Sequence, residues 1–79
     1  MNKYALFAIV AMEEKRREAN EKLAQAKHNF SRLHPCQLDV IYDYDSRKTP
    51  NQILAVWQKH VDEANATINW LKKVGDVPA

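Results

Sequence analysis

The sequence predicts an all-α fold: two long antiparallel helices, over about 3–33 and 50–74, joined by a partly extended loop. Three observations carry that expectation. One glycine, Gly75, and three prolines, Pro35, Pro50 and Pro78, leave two long stretches of the 79 residues free of breakers. Apolar residues in both stretches recur at alternating steps of three and four, the spacing that gives a helix one apolar face. The second stretch also carries matching start and stop signals.

That second stretch opens on Thr49-Pro50-Asn51-Gln52. The threonine hydroxyl can accept from the third helical N–H, the glutamine can reach back, and proline loses no donor in the first turn. Lys72 and Lys73 sit where the helix dipole favours cations, and Gly75 follows as the expected left-handed C-cap. A helix over 50–74 is about 37 Å long at 1.5 Å per residue. Its seam is Leu54, Trp57, Val61, Ala64, Ile68 and Leu71. A second stripe, Val56, His60, Thr67, Trp70 and Val74, lies about 100° around the helix and implies a second neighbour.

The first stretch places Ile9, Met12, Ala19, Leu23, Ala26, Phe30 and Leu33 on one seam, with Arg16 at its edge, where the stem can snorkel outward. Glu13–Arg17 and Glu18–Lys22 are i,i+4 pairs in the favourable order. Pro35 biases His34 out of the helical region, which ends the helix near Leu33. Residues 12–33 then match the second helix in length, and 1–11 are expected to overhang. In that overhang Leu6, Phe7 and Val10 point away from the seam, so the end is apolar on nearly every side and needs cover that a hairpin alone cannot supply.

The connection from Cys36 to Lys48 is long for a helix–helix loop. Leu38, Val40, Tyr42 and Tyr44 alternate with Asp39, Ile41, Asp43 and Asp45, the period of a strand. This opens an alternative architecture, a small β-α-β-α unit with strands near 3–11 and 38–44. Against it, no turn or N-cap residue separates Ala11 from Glu13, and the first run is alanine-rich.

Length bounds the rest. Seventy-nine residues make a single helical-hairpin domain, 1–79, in which burial and chain entropy nearly balance, so such chains usually recruit a staple. Cys36 is the only cysteine, which excludes an intrachain disulfide and suits a reducing, cytoplasmic setting. The apolar run Tyr4–Met12 is too short to span a bilayer, which takes about 20 residues, and it runs into Glu13-Glu14-Lys15 with no cleavage site, so no membrane anchor is expected. The remaining staple is a second copy. The sequence therefore predicts a homodimer forming a four-helix bundle, with Tyr4, Leu6, Phe7, Val10, Trp70 and Val74 at the interface.

No catalytic centre, cofactor or metal is expected. One glycine cannot build a phosphate-cradling loop. His34-Pro35-Cys36 sets a thiol and an imidazole across a rigid proline with no orienting third group. His28, His34, Cys36 and Asp39 match no zinc spacing. Asp39, Asp43 and Asp45 lack the glycine and ligand ladder of a calcium loop.

What remains is contact. The expected function is that of a non-enzymatic interaction protein, a small adaptor or inhibitor that binds and modulates a larger protein. Tyr42 and Tyr44, set among Asp39, Asp43 and Asp45, form an acidic-aromatic patch suited to a partner with a basic groove. The alternative is a nucleic-acid-binding module using Lys15, Arg16, Arg17, Lys22, Lys27, His28 and Arg32 of the first helix, with Arg47-Lys48 of the loop. Interleaved Glu13, Glu14, Glu18 and Glu21 and a net charge of only +2 weaken that attraction.

Overall fold

A computed structural model describes residues 3–75, so Met1, Asn2 and the closing segment with Pro78 lie outside the described residues. The chain is a helical hairpin. Helix α1 runs Lys3–Phe30, a 3₁₀ turn occupies Pro35–Asp39, and helix α2 runs Pro50–Gly75. Among the described residues there is no strand, only an isolated antiparallel bridge between Asp43 and Lys48. The β-α-β-α alternative is therefore wrong, and residues 3–11 are helix. The alanine-rich run has nothing that breaks a helix, and its seam residue Ile9 is buried.

Helix α2 starts as its sequence dictates. Gln52 N–H donates to Thr49 Oγ1 at 3.2 Å, and Thr49 N–H donates to Gln52 Oε1 at 3.0 Å. The two orphan donors are thus satisfied reciprocally. Its far end differs from expectation. Gly75 is the last helical residue, is buried and has no positive φ, so it is not a left-handed cap. The left-handed residue is Arg47, at φ 57°, inside the turn that precedes Thr49.

Helix α1 ends three residues before Leu33. Ser31 Oγ donates to the His28 carbonyl at 2.6 Å, and the backbone tightens through Ser31 N–H to His28 and Leu33 N–H to Phe30. Serine competing for the last carbonyls unwinds the helix before the proline constraint acts. His34 is extended, at φ −67° and ψ 146°, as a residue before proline should be.

Burial follows the two seams. Ile9, Ala19, Leu23, Ala26 and Phe30 of α1 and Val61, Ala64 and Ile68 of α2 are buried. Ala19, Leu23 and Val61 form the central cluster, with Leu54 and Trp57 packed against it. The alanines bring the two backbones close at mid-hairpin. Arg16, at the seam edge, reaches across instead of out: its Nη1 donates to Asn65 Oδ1 at 2.9 Å. Carried along the hairpin, that pairing sets Ile9 level with the last turn of α2. The overhang expected for residues 3–11 is therefore absent. With α1 ending at Phe30, the 28 residues of α1 match the 26 of α2 almost end to end.

Candidate functional site

Contact surfaces are the candidates, and three regions of the hairpin matter. At the closed end the connection is ordered by its own side chains. The Phe30 and Tyr42 rings meet edge-to-face with centroids 4.9 Å apart, so Tyr42 caps the end of the apolar seam. Asn51 Nδ2 donates to Asp39 Oδ1 at 2.8 Å, tying the 3₁₀ turn to the first turn of α2. Asp43 accepts from Ser46 Oγ at 2.7 Å and from the Asp45 N–H at 3.1 Å. The Ser46 hydroxyl is the main cause that holds the Asp43 carboxyl below the usual carboxylate range, and backbone N–H groups and Lys48 act the same way. Tyr42 and Asp43 N–H both donate to the Lys48 carbonyl, and Lys48 N–H returns to Asp43.

Three of the five residues expected to face a partner, Tyr42, Asp39 and Asp43, therefore also hold the loop together. Tyr44 and Asp45 project from it. Tyr44 is 82% exposed, beside the exposed Val40 and Ile41, which sequence reasoning passed over as part of an alternation. The alternation reflects a turn whose outward residues are apolar. It is not the pattern of a buried strand.

The open end carries the residues expected at an oligomer interface. Leu6, Phe7 and Val10 on α1 and Trp70 and Val74 on α2 are all exposed, Phe7 at 62% and Trp70 at 60%, and Tyr4 is exposed beside them. The register fixed by Arg16 and Asn65 brings these stretches of α1 and α2 to the same end of the hairpin.

Between the ends, the two broad sides of the hairpin differ in chemistry. On one side Met12, Ala19, Trp57 and Ala64 floor a cleft of about 400 Å³, rimmed by Lys15, Glu18, Lys22, His60 and Glu63. Trp57 and His60 line it with ring centroids 5.5 Å apart, tilted by 45°. His60 belongs to the second stripe of α2, but the role of Trp57 as a half-exposed floor was not legible from a seam position. On the other side are Arg16 and Asn65, with Gln58 and Lys72 in the seven-residue row of Asn65, and an open groove of about 630 Å³ lined along α1 by Val10, Glu13, Arg17, Asn20, Glu21 and Ala24.

The thiol and imidazole that flank Pro35 are in contact. Cys36 Sγ lies 3.3 Å from His34 Nδ1 on the exposed loop, and among the described residues nothing bonds the other ring nitrogen of His34. Among the described residues no group of three or more His, Cys, Asp or Glu is placed to hold a metal ion, and no helix is long and apolar enough to cross a membrane. The basic residues of α1 are partly engaged. Arg17 pairs with Glu14 and Glu21 in place of the expected Glu13, and Arg16 is bonded to Asn65. The Arg17 guanidinium holds the Glu14 carboxyl below its ordinary range, chiefly by hydrogen bonding. No protein-family model, curated protein or solved structure matches the chain.

Proposed function

We propose that this chain is a non-enzymatic interaction protein, an adaptor or inhibitor that binds and modulates a larger partner protein through the closed-end loop. One observation carries the reading. Tyr44 stands 82% exposed on a turn whose backbone is pinned by Asp43, Ser46 and Lys48 and anchored to the helices through Tyr42 and Asp39. An aromatic side chain held out on an ordered turn meets a partner at little entropic cost, because the loop is ordered before contact. Asp45 beside it suits a basic rim on the partner, where charge complementarity mainly speeds association. The reading includes a reducing, cytoplasmic site of action, supported by the single exposed thiol.

The test is quantitative affinity capture from the source cells with the tagged chain and its Tyr44→Ala variant. A buried tyrosine anchor is worth about 2 kcal/mol or more, roughly thirtyfold in affinity. A true partner is expected to be enriched by the parent chain and lost with the variant, while circular dichroism stays unchanged. Equal capture by both chains would sink the assignment of the loop.

A further inference from the structure

We infer that the open end of the hairpin docks into the headgroup region of an anionic membrane, resting in the interface without crossing the bilayer. This goes beyond the loop contact in naming a second surface and its occupant, and the two stand or fall separately.

Charge is the first observation. Of the chain's 12 Lys/Arg and 10 Asp/Glu, nine of each fall within residues 13–63, where they balance. Lys3, Lys72 and Lys73 flank that stretch and only Asp76 follows them, so the whole net charge of +2 belongs to the open-end segments. Residues 3–12 of α1 and 64–75 of α2 carry no carboxylate side chain, and the three lysines are exposed.

Apolar surface is the second. Tyr4, Leu6, Phe7 and Val10 stand exposed on the first two turns of α1, and Trp70 and Val74 on the last two turns of α2. They do not share one side of the rod. Val10 lines the open groove beside Arg16, whereas Val74 continues the seven-residue row of His60 and Thr67 from the cleft on the other side. A flat partner layer would cover one of these sides and leave the other in water. Lipid closes around an inserted end from every direction.

The dimensions fit an interface. From Tyr4 to Val10 the helix rises about 9 Å at 1.5 Å per residue, and interfacial helices bury their apolar surface about 5–10 Å deep. The register fixed by Arg16 and Asn65 sets Trp70 level with Ala11, at the shallow edge of this segment, the depth that tryptophan favours. Lys72 and Lys73 fall level with Ile9 and Ala8, where their aliphatic stems can carry the charge back to lipid phosphates. Apolar insertion and basic attraction together make peripheral binding stable.

A second copy is the rival occupant. Two open ends brought together would juxtapose three lysines from each, with no carboxylate in the described turns around them to pair with, and like charges oppose that contact. A phosphatidylserine surface, as on a cytoplasmic leaflet, turns the same lysines into attraction.

Flotation of the full chain with vesicles of phosphatidylcholine, alone or in equimolar mixture with phosphatidylserine, reads the contact. Binding to the mixture is expected, weakened by added salt and far weaker on phosphatidylcholine alone. At roughly fivefold per lysine, Lys72→Gln/Lys73→Gln should lower the affinity about 25-fold. Lys27→Gln/Arg32→Gln, at the closed end and beyond the screening length, should change it less than about twofold. Phe7→Glu should abolish binding with helicity retained, and Tyr44→Ala should bind as the parent does, which separates this outcome from the loop reading. If Phe7→Glu unfolds the chain, quenching of the parent's tryptophan fluorescence by lipids brominated in the upper acyl chain decides without a substitution. No binding to the mixture at low salt, no quenching, or binding indifferent to the lysine pair would overturn the inference. So would a dimer in sedimentation equilibrium that Phe7→Glu dissociates while vesicles stay unbound.

Discussion

The Arg16–Asn65 bond is the clearest place to test how the hairpin keeps its register. Each side chain is half-buried at the seam edge, and the 2.9 Å bond joins positions 49 residues apart. A hydrogen bond to a charged donor contributes about 1.5–3 kcal/mol, and remaining solvent access sets this one just below that range, roughly 1–1.5 kcal/mol. At about 2.1 cal/mol/K of unfolding entropy per residue, a chain of this length loses about 6–9 °C in Tm for that change. Asn65→Leu should show the loss, because the guanidinium must then turn to water along its stem. Arg16→Met should show less, since Asn65 can still reach solvent. The double variant Arg16→Met/Asn65→Leu should recover most of it, as two apolar groups extend the seam with no polar atom stranded. Urea and thermal unfolding followed by circular dichroism, at one fixed protein concentration, give the cycle. Additive single effects, with a coupling below about 0.3 kcal/mol, would refute the claim that this bond holds the helices in register.

Three further outcomes are expected. Thr49→Ala removes an N-cap acceptor seen in the structure and should cost about 1 kcal/mol, near 6 °C in Tm by the same entropy. Arg47→Gly should raise stability by up to about 1 kcal/mol in urea titrations, because Arg47 sits at φ 57°, where a Cβ is unfavourable and glycine is not. Asp43 has a folded pKa below its ordinary 3.8, so its contribution to the turn is complete above that value and is lost as pH falls through the lower folded pKa. NMR titration should therefore show the Asp43 carboxyl and the Asp45 amide moving together at acidic pH, and a carboxyl titrating at or above 3.8 would contradict the Ser46 bond.

What the sequence made legible is the part governed by local chemistry and period. The Thr49–Gln52 box appears with both bonds, and the seam positions Ile9, Ala19, Leu23, Ala26, Phe30, Val61, Ala64 and Ile68 are the buried ones. Features decided by competition between equal local choices were not legible. Ser31 unwinds the last turn of α1 before Pro35 can, which moves the helix end and with it the register that an overhang had assumed. The alternation over 38–45 reads as a strand, but Tyr42 is drawn onto Phe30 and Asp43 gathers Ser46 and Asp45 into a turn. Of the candidate site, the outward aromatics were visible as a surplus over the seam. Which of them also serve the chain's own closure depends on three-dimensional contacts that spacing does not encode.

Those closures all sit at one end. Phe30 with Tyr42, Asp39 with Asn51 and the Thr49 cap bind the loop to both helices, while the other end of the rod is two helix tips with exposed faces. A chain built this way zips from the loop outward, since the contacts nearest the loop close the shortest segments and cost the least entropy. In a lone hairpin, amide hydrogen exchange should then be slowest at mid-hairpin and fastest in the turns around Phe7 and Trp70, which open first. A second copy laid over those tips would reverse the gradient, protecting the ends that folded last. The order in which amides exchange thus reports how the chain is assembled as well as how it folds.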